Sequence, residues 1–116
     1  IKWQKDNKMS LLEKWGEGLN NLDMNLLNEL YHDDYKFTLH SAGKILNKKD
    51  VLDWIAMDDV ETKNFRILYE NSEIGVTHAV VKFKSDGNIQ GVMSFFKFKD
   101  GKLFRHETGA SNLPKE

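Results

Sequence analysis

The chain has 116 residues, 40% hydrophobic, 30% charged and 11% aromatic, with 17 Lys and Arg against 18 Asp and Glu. That length suits a single domain spanning 1–116 with one ordinary core, and the near-cancelling charges give no electrostatic reason to expect a nucleic-acid partner. The absence of cysteine excludes disulfides, thiolate nucleophiles and cysteine-ligated metals.

No apolar run approaches the ~20 residues that span a bilayer, and the opening IKWQKDNK lacks the apolar core of a signal peptide. The expectation is therefore no membrane partner and a cytoplasmic location. Ile1 is a large residue for a first position, which suggests a missing start and leaves room for a removed leader.

In chain order, Met9, Leu12, Trp15, Leu19 and Leu22 recur at three- and four-residue spacings, the mark of a helix with one buried face. Ser10 and Glu13 have the spacing of a capping box at its start. Asn20 and Asn21 break the pattern, and Asp23 can cap a second, shorter helix with Leu27, Leu30 and Tyr31 on its apolar side. From Tyr35 the period becomes two, with Tyr35, Phe37 and Leu39 on one face and Lys36, Thr38 and His40 on the other.

Ser41 to Gly43 reads as a bend, and Asn47 with Asp50 as the cap of a third helix carrying Val51, Trp54, Ile55 and Met57, which stops near Asp58 and Asp59. Four strands follow, over 65–70, 76–84, 89–99 and 102–110. Short turns separate them, so they read as consecutive antiparallel hairpins. A four-residue loop over 85–88 sets Phe83, Val81, Ala79 and Thr77 opposite Gln90, Val92, Ser94 and Phe96 on the core face. The other face carries Val76, His78 and Val80 beside Gly91, Met93 and Phe95, apolar enough to call for a cover, with a second copy of the chain the expected one.

The last strand has two readings. A two-residue turn at Asp100-Gly101 brings Arg105 and Glu107 to the core face, whereas a three-residue turn with a glycine bulge brings Phe104, His106 and Thr108 there. Burying two charges costs more than burying none, which favours Phe104 and His106 inward.

The order helix, helix, strand, helix and four antiparallel strands resembles the nuclear transport factor 2-like superfamily, and within it the SnoaL-like and ketosteroid-isomerase-like proteins. The pieces that carry the likeness are Gly18-Leu19-Asn20 before Asp23, the Leu30-Tyr31-His32-Asp33-Asp34 helix exit, the strand ending at His40 with Gly43 after it, and Asp100-Gly101-Lys102-Leu103. The resemblance implies an α+β fold in which a curved antiparallel sheet wraps three N-terminal helices as a cone, with a pocket between sheet and helices and a homodimer through the sheet's outer face.

It also implies roles. His40 falls where the isomerase has its proton-abstracting aspartate, Trp15 where it has an oxyanion-binding tyrosine, and Ser94 where it has a protonated aspartic acid. Both oxyanion donors are changed, so a steroid is not the expected substrate. An imidazole titrates near ~6.5 and suits proton transfer at neutral pH. The expected site is then His40 as base with His106 and Ser94, and with Trp15, Tyr31, Tyr35, Trp54 and Phe96 holding a small hydrophobic or oxygenated ligand. The hydroxyls of Tyr31 and Tyr35 are expected at the pocket rim.

No HExxH, clustered carboxylates, phosphate loop or Gly-x-Ser-x-Gly is present, so neither a metal nor a cofactor is expected. The two functional expectations are cofactor-independent isomerase, dehydratase or cyclase chemistry on a carbonyl compound, and a non-catalytic module that binds a small ligand or dimerises.

Overall fold

In a computed structural model the described residues are 9–114; the opening IKWQKDNK, read above for a signal peptide, lies outside them. Three helices and six strands follow in the order α1 (Leu11–Asn21), α2 (Met24–Leu30), β1 (Tyr31–Leu39), β2 (Lys44–Asn47), α3 (Lys48–Ala56), β3 (Val60–Glu70), β4 (Ile74–Phe83), β5 (Ile89–Lys99) and β6 (Lys102–Leu113). The strands form one open mixed sheet in the order β2-β1-β6-β5-β4-β3.

The helix ends are set by local chemistry. Ser10 Oγ accepts from the Glu13 N–H at 3.1 Å while the Glu13 carboxylate accepts from the Ser10 N–H at 3.0 Å, completing the capping box. Asn47 and Asp50 repeat the arrangement at α3. Helix α1 runs through Asn20 and Asn21 and stops one residue later, where Leu22 takes the left-handed conformation at φ 50° and the Asp23 N–H donates to the Gly18 carbonyl. Asp23 then caps α2 through the Leu26 N–H. Gly16 lets α1 approach the sheet, since a Cβ there would lie 2.7 Å from the Phe65 ring. Met57, expected on the apolar side of α3, is instead exposed past its end.

The buried core joins Leu12 and Trp15 of α1, Leu27 and Leu30 of α2, Tyr35 and Phe37 of β1, Val51 of α3, and Phe96 and Leu103 of the sheet. Two features of the sheet escape a hairpin-by-hairpin reading. Strand β2 pairs antiparallel with β1 across the Ser41–Gly43 bend, and β1 pairs parallel with β6. A parallel pair needs a long crossover, which everything from β2 to β5 supplies.

Pairing of β4 with β5 sets Val81 opposite Gln90, Ala79 opposite Val92, Thr77 opposite Ser94 and Gly75 opposite Phe96. This is two residues away from the register expected for a loop over 85–88. The loop closes earlier, at the Phe83 N–H to Asn88 carbonyl bond of 2.9 Å. A shift of two leaves each side chain on its expected face.

At the last hairpin Asp100 and Gly101 have φ of 55° and 72°, a two-residue turn with both central residues left-handed. The ladder pairs Lys99 with Lys102 and Phe98 with Leu103, then Lys97 with Arg105, so Phe104 is an extra residue on β6. The bulge turns both Leu103 and His106 inward. Phe104 goes to the other side, under the Arg105 guanidinium at 3.8 Å, and Arg105 itself donates outward to the Asp34 carbonyl at 2.8 Å. The expected burial of Phe104 is thereby corrected; the alternative of charges in the core is avoided by a bulge placed later than the turn.

Candidate ligand-binding site

Between the sheet's inner face and the helices lies a cavity of about 190 Å³ with an open mouth. Its walls are aromatic and aliphatic, from Trp15 on α1, Tyr31, Tyr35 and Phe37 on β1, Trp54 on α3 and Phe65 on β3; polar side chains come mainly from β4, β5 and β6. The sheet brings these in rows. One row runs Gly75, Phe96, His106, Phe37 across β4, β5, β6 and β1, and the next runs Thr77, Ser94, Thr108, Leu39.

His106 is the centre of the first row. Its ring is sandwiched between Phe37 at 4.2 Å and Phe96 at 4.0 Å, both stacked, with Trp15 edge-on at 5.8 Å. Burial among these apolar rings pushes its pKa down from 6.5 to about 3, because the imidazolium has lost its hydration. Nδ1 lies 2.8 Å from the Tyr35 hydroxyl, and Nε2 is buried with no hydrogen-bond partner among the described residues.

The protons can be assigned by counting. A neutral imidazole carries one N–H. If the Tyr35 O–H donates to Nδ1, that hydrogen sits on Nε2 and one buried donor is left over. If Nδ1–H donates to the tyrosine oxygen, both the tyrosine hydrogen and the Nε2 lone pair are left over. The first arrangement leaves fewer orphans and is preferred. Burial also raises the Tyr35 pKa well above its usual value, so that hydroxyl keeps its proton.

Several expected positions need correction. His40 was expected to look into the pocket, yet its side chain is 61% exposed and its Nε2 lies 2.8 Å from the Glu107 carboxylate on the outer side. The alternation of β1 explains this, for Tyr35 and Phe37 are buried and His40 falls on the opposite parity. The Trp15 indole N–H is not available to a ligand oxygen, because it donates to the Tyr31 hydroxyl at 2.9 Å. Tyr31 and Tyr35 do not hold their hydroxyls at a wet rim; they are 1% and 0% exposed. Phe96 does not line the cavity but lies beneath His106 as its support.

Ser94, Trp54 and His106 do line the cavity, and Trp54 stacks on Phe37 at 6.3 Å. Two lining residues that were not singled out are Thr77 and Thr108. Each follows from alternation once its neighbour is placed, Thr77 opposite Ser94 and Thr108 two residues from His106. At the mouth stand Asp58 and Asp59. The first pairs with Lys84 at 3.3 Å, and the second accepts from the Ser85 N–H and Oγ at 2.9 and 3.0 Å. Among the described residues no three His, Asp or Glu side chains are grouped so as to hold a metal, and no helix is long and apolar enough to cross a membrane.

Solved structures share this fold. A proposed ketosteroid isomerase from Kribbella flavida matches with a TM-score of 0.76 at 15% identity, over 91% of this chain and 78% of its own. IdmH, a proposed polyketide cyclase from Streptomyces antibioticus, matches with 0.70 at 15% identity, over 87% and 89%. A ketosteroid-isomerase-like protein from Catenulispora acidiphila, solved in complex with trimethylamine, matches with 0.62 at 14% identity, over 85% and 83%. At these identities the likeness is one of fold. No protein-family model matches the chain, and no curated protein matches it in sequence.

Proposed function

With the nuclear transport factor 2-like fold of this chain as the starting point, we propose that it binds a small, uncharged, mainly apolar molecule carrying a hydrogen-bond-accepting oxygen. The observation that carries this is His106, which lines the cavity and whose Nε2 is buried with no hydrogen-bond partner among the described residues. An unpaired buried N–H costs about 1–3 kcal/mol, and a ligand carbonyl would recover it. The size is in keeping with one or two rings: a cavity of ~150 Å³ accepts benzene, and this one is about 190 Å³. A fold neighbour was solved with trimethylamine, a small molecule that has no oxygen and so bears only on ligand size.

Binding is better supported than proton abstraction. A general base works best with a pKa near the operating pH, and His106 at about 3 is far below it. Its neutral N–H is suited to polarising a carbonyl, as a donor that needs no charge. The isomerase, dehydratase or cyclase reading retains one observation in its favour, the Asp58 carboxylate at the mouth, where a base could meet a bound molecule.

The test is an NMR titration of the protein with acetophenone, an aromatic carbonyl of suitable size, beside the His106→Phe variant, which keeps the ring stack and removes the N–H. Wild type should bind roughly fivefold or more tightly than the variant. Equal affinities would remove His106 from recognition.

The outer face supports a homodimer. Val76 with Phe95 and His78 with Met93 are cross-strand pairs there, and Tyr69 and Met93 are about half exposed. Met93→Lys should shift sedimentation from dimer to monomer, and a wild-type monomer at high concentration would end the proposal.

A further inference from the structure

Thr77, Ser94 and Thr108 form a continuous hydroxyl row across β4, β5 and β6, each directly opposite the next in the ladder. All three line the cavity, and Thr77 and Ser94 are 2% and 5% exposed. Among the described residues none of the three hydroxyls takes part in a side-chain hydrogen bond. Three adjacent hydroxyls without side-chain partners among the described residues are an unusual use of inward positions that valine could fill in place of threonine and alanine in place of serine.

The row has a fixed relation to His106. Thr108 is two residues along β6 on the same face, so the hydroxyls lie about 7 Å from the imidazole along the strand. That is the span of a single ring with a substituent at each end. An apolar body between the two anchors would rest on the aromatic wall, and no Lys or Arg among the described residues lines the cavity to compensate an anion.

We propose that the ligand is a neutral, ring-sized compound with oxygens at both ends, one accepting from His106 Nε2–H and the other, a hydroxyl or carbonyl, held by Thr77, Ser94 and Thr108. This rests on the pocket reading above and adds a second anchor to it. A ligand with one oxygen would exclude water from the row without replacing its hydrogen bonds, so the row selects against it as well as for its two-ended counterpart.

The experiment compares three probes by NMR titration: ethylbenzene, acetophenone and 4′-hydroxyacetophenone. Acetophenone should bind more tightly than ethylbenzene, which reports the His106 anchor. The hydroxylated ketone should bind about fivefold more tightly than acetophenone. In Thr77→Val and in Ser94→Ala, each near-isosteric, the ratio between the two ketones should fall toward one, while in His106→Phe both ketones should weaken and their ratio persist. If the ketones bind equally to wild type while both exceed ethylbenzene, the second anchor is wrong and the pocket reading stands. If no probe binds, both fall.

Discussion

The Tyr35 hydroxyl and His106 Nδ1 lie 2.8 Å apart across the β1 and β6 strands, both side chains buried, and this one bond fixes which nitrogen of the imidazole is left without a partner among the described residues.

Acid should destabilise the protein through His106. Its folded pKa is about 3 against 6.5 for the free group, so between those values the unfolded chain binds a proton that the folded chain refuses. The stability is fully present above pH about 6.5 and falls as pH drops toward 3, by about 1.4 kcal/mol per pH unit. Urea unfolding of wild type and His106→Phe at pH 7, 6, 5 and 4 isolates the effect. A constant difference between the two proteins would mean that the imidazole takes up its proton in the folded state.

Tyr35→Phe should cost about 1–3 kcal/mol, since it strands Nδ1 of His106 in an apolar sandwich. Combined with His106→Phe the two losses should fall short of their sum, because neither single variant's orphan remains. Strict additivity in a double-mutant cycle would show that the bond contributes nothing.

His40→Ala should change stability by less than about 0.5 kcal/mol, as expected of an exposed pair with Glu107, and should leave acetophenone binding as it was. A tenfold loss of affinity would bring that imidazole back into the site.

Gly101→Ala should cost about 1 kcal/mol in chemical denaturation. The residue sits at φ 72° with open space around it, so the penalty is purely conformational. A neutral substitution would mean that the turn can relax to another type.

Much of the fold could be read directly from residue spacing. The capping pairs Ser10 with Glu13 and Asn47 with Asp50 form as their spacing implies, and the facing of β4 against β5 survives a two-residue error in register because side-chain parity repeats every second residue. One miss was local, the short strand from Lys44 that folds straight back on Leu39 with little strand pattern of its own; the other was non-local, since nothing in β1 announces a parallel partner some 70 residues later. The site was legible where it depended on strand parity, as for Ser94, and illegible where two side chains compete for one hydrogen bond, as for Trp15 and Tyr31. His40 is a different case: its own alternation with Phe37 already turned it outward, and the resemblance that made it the expected base did not outweigh geometry.

The surplus residue Phe104 separates the length of the last hairpin from the aim of its imidazole. Excising Phe104 would leave Leu103, Arg105 and His106 as an unbroken inward, outward, inward series, so a shorter chain would keep the same wall. Inserting one residue beyond the bulge, between Arg105 and His106, would instead rotate every later side chain of the strand by half a turn, sending His106 and Thr108 outward and Glu107 inward. Insertions and deletions in this hairpin are therefore unequal in consequence, and the side of Arg105 on which they fall decides whether the lineage keeps a pocket or loses it.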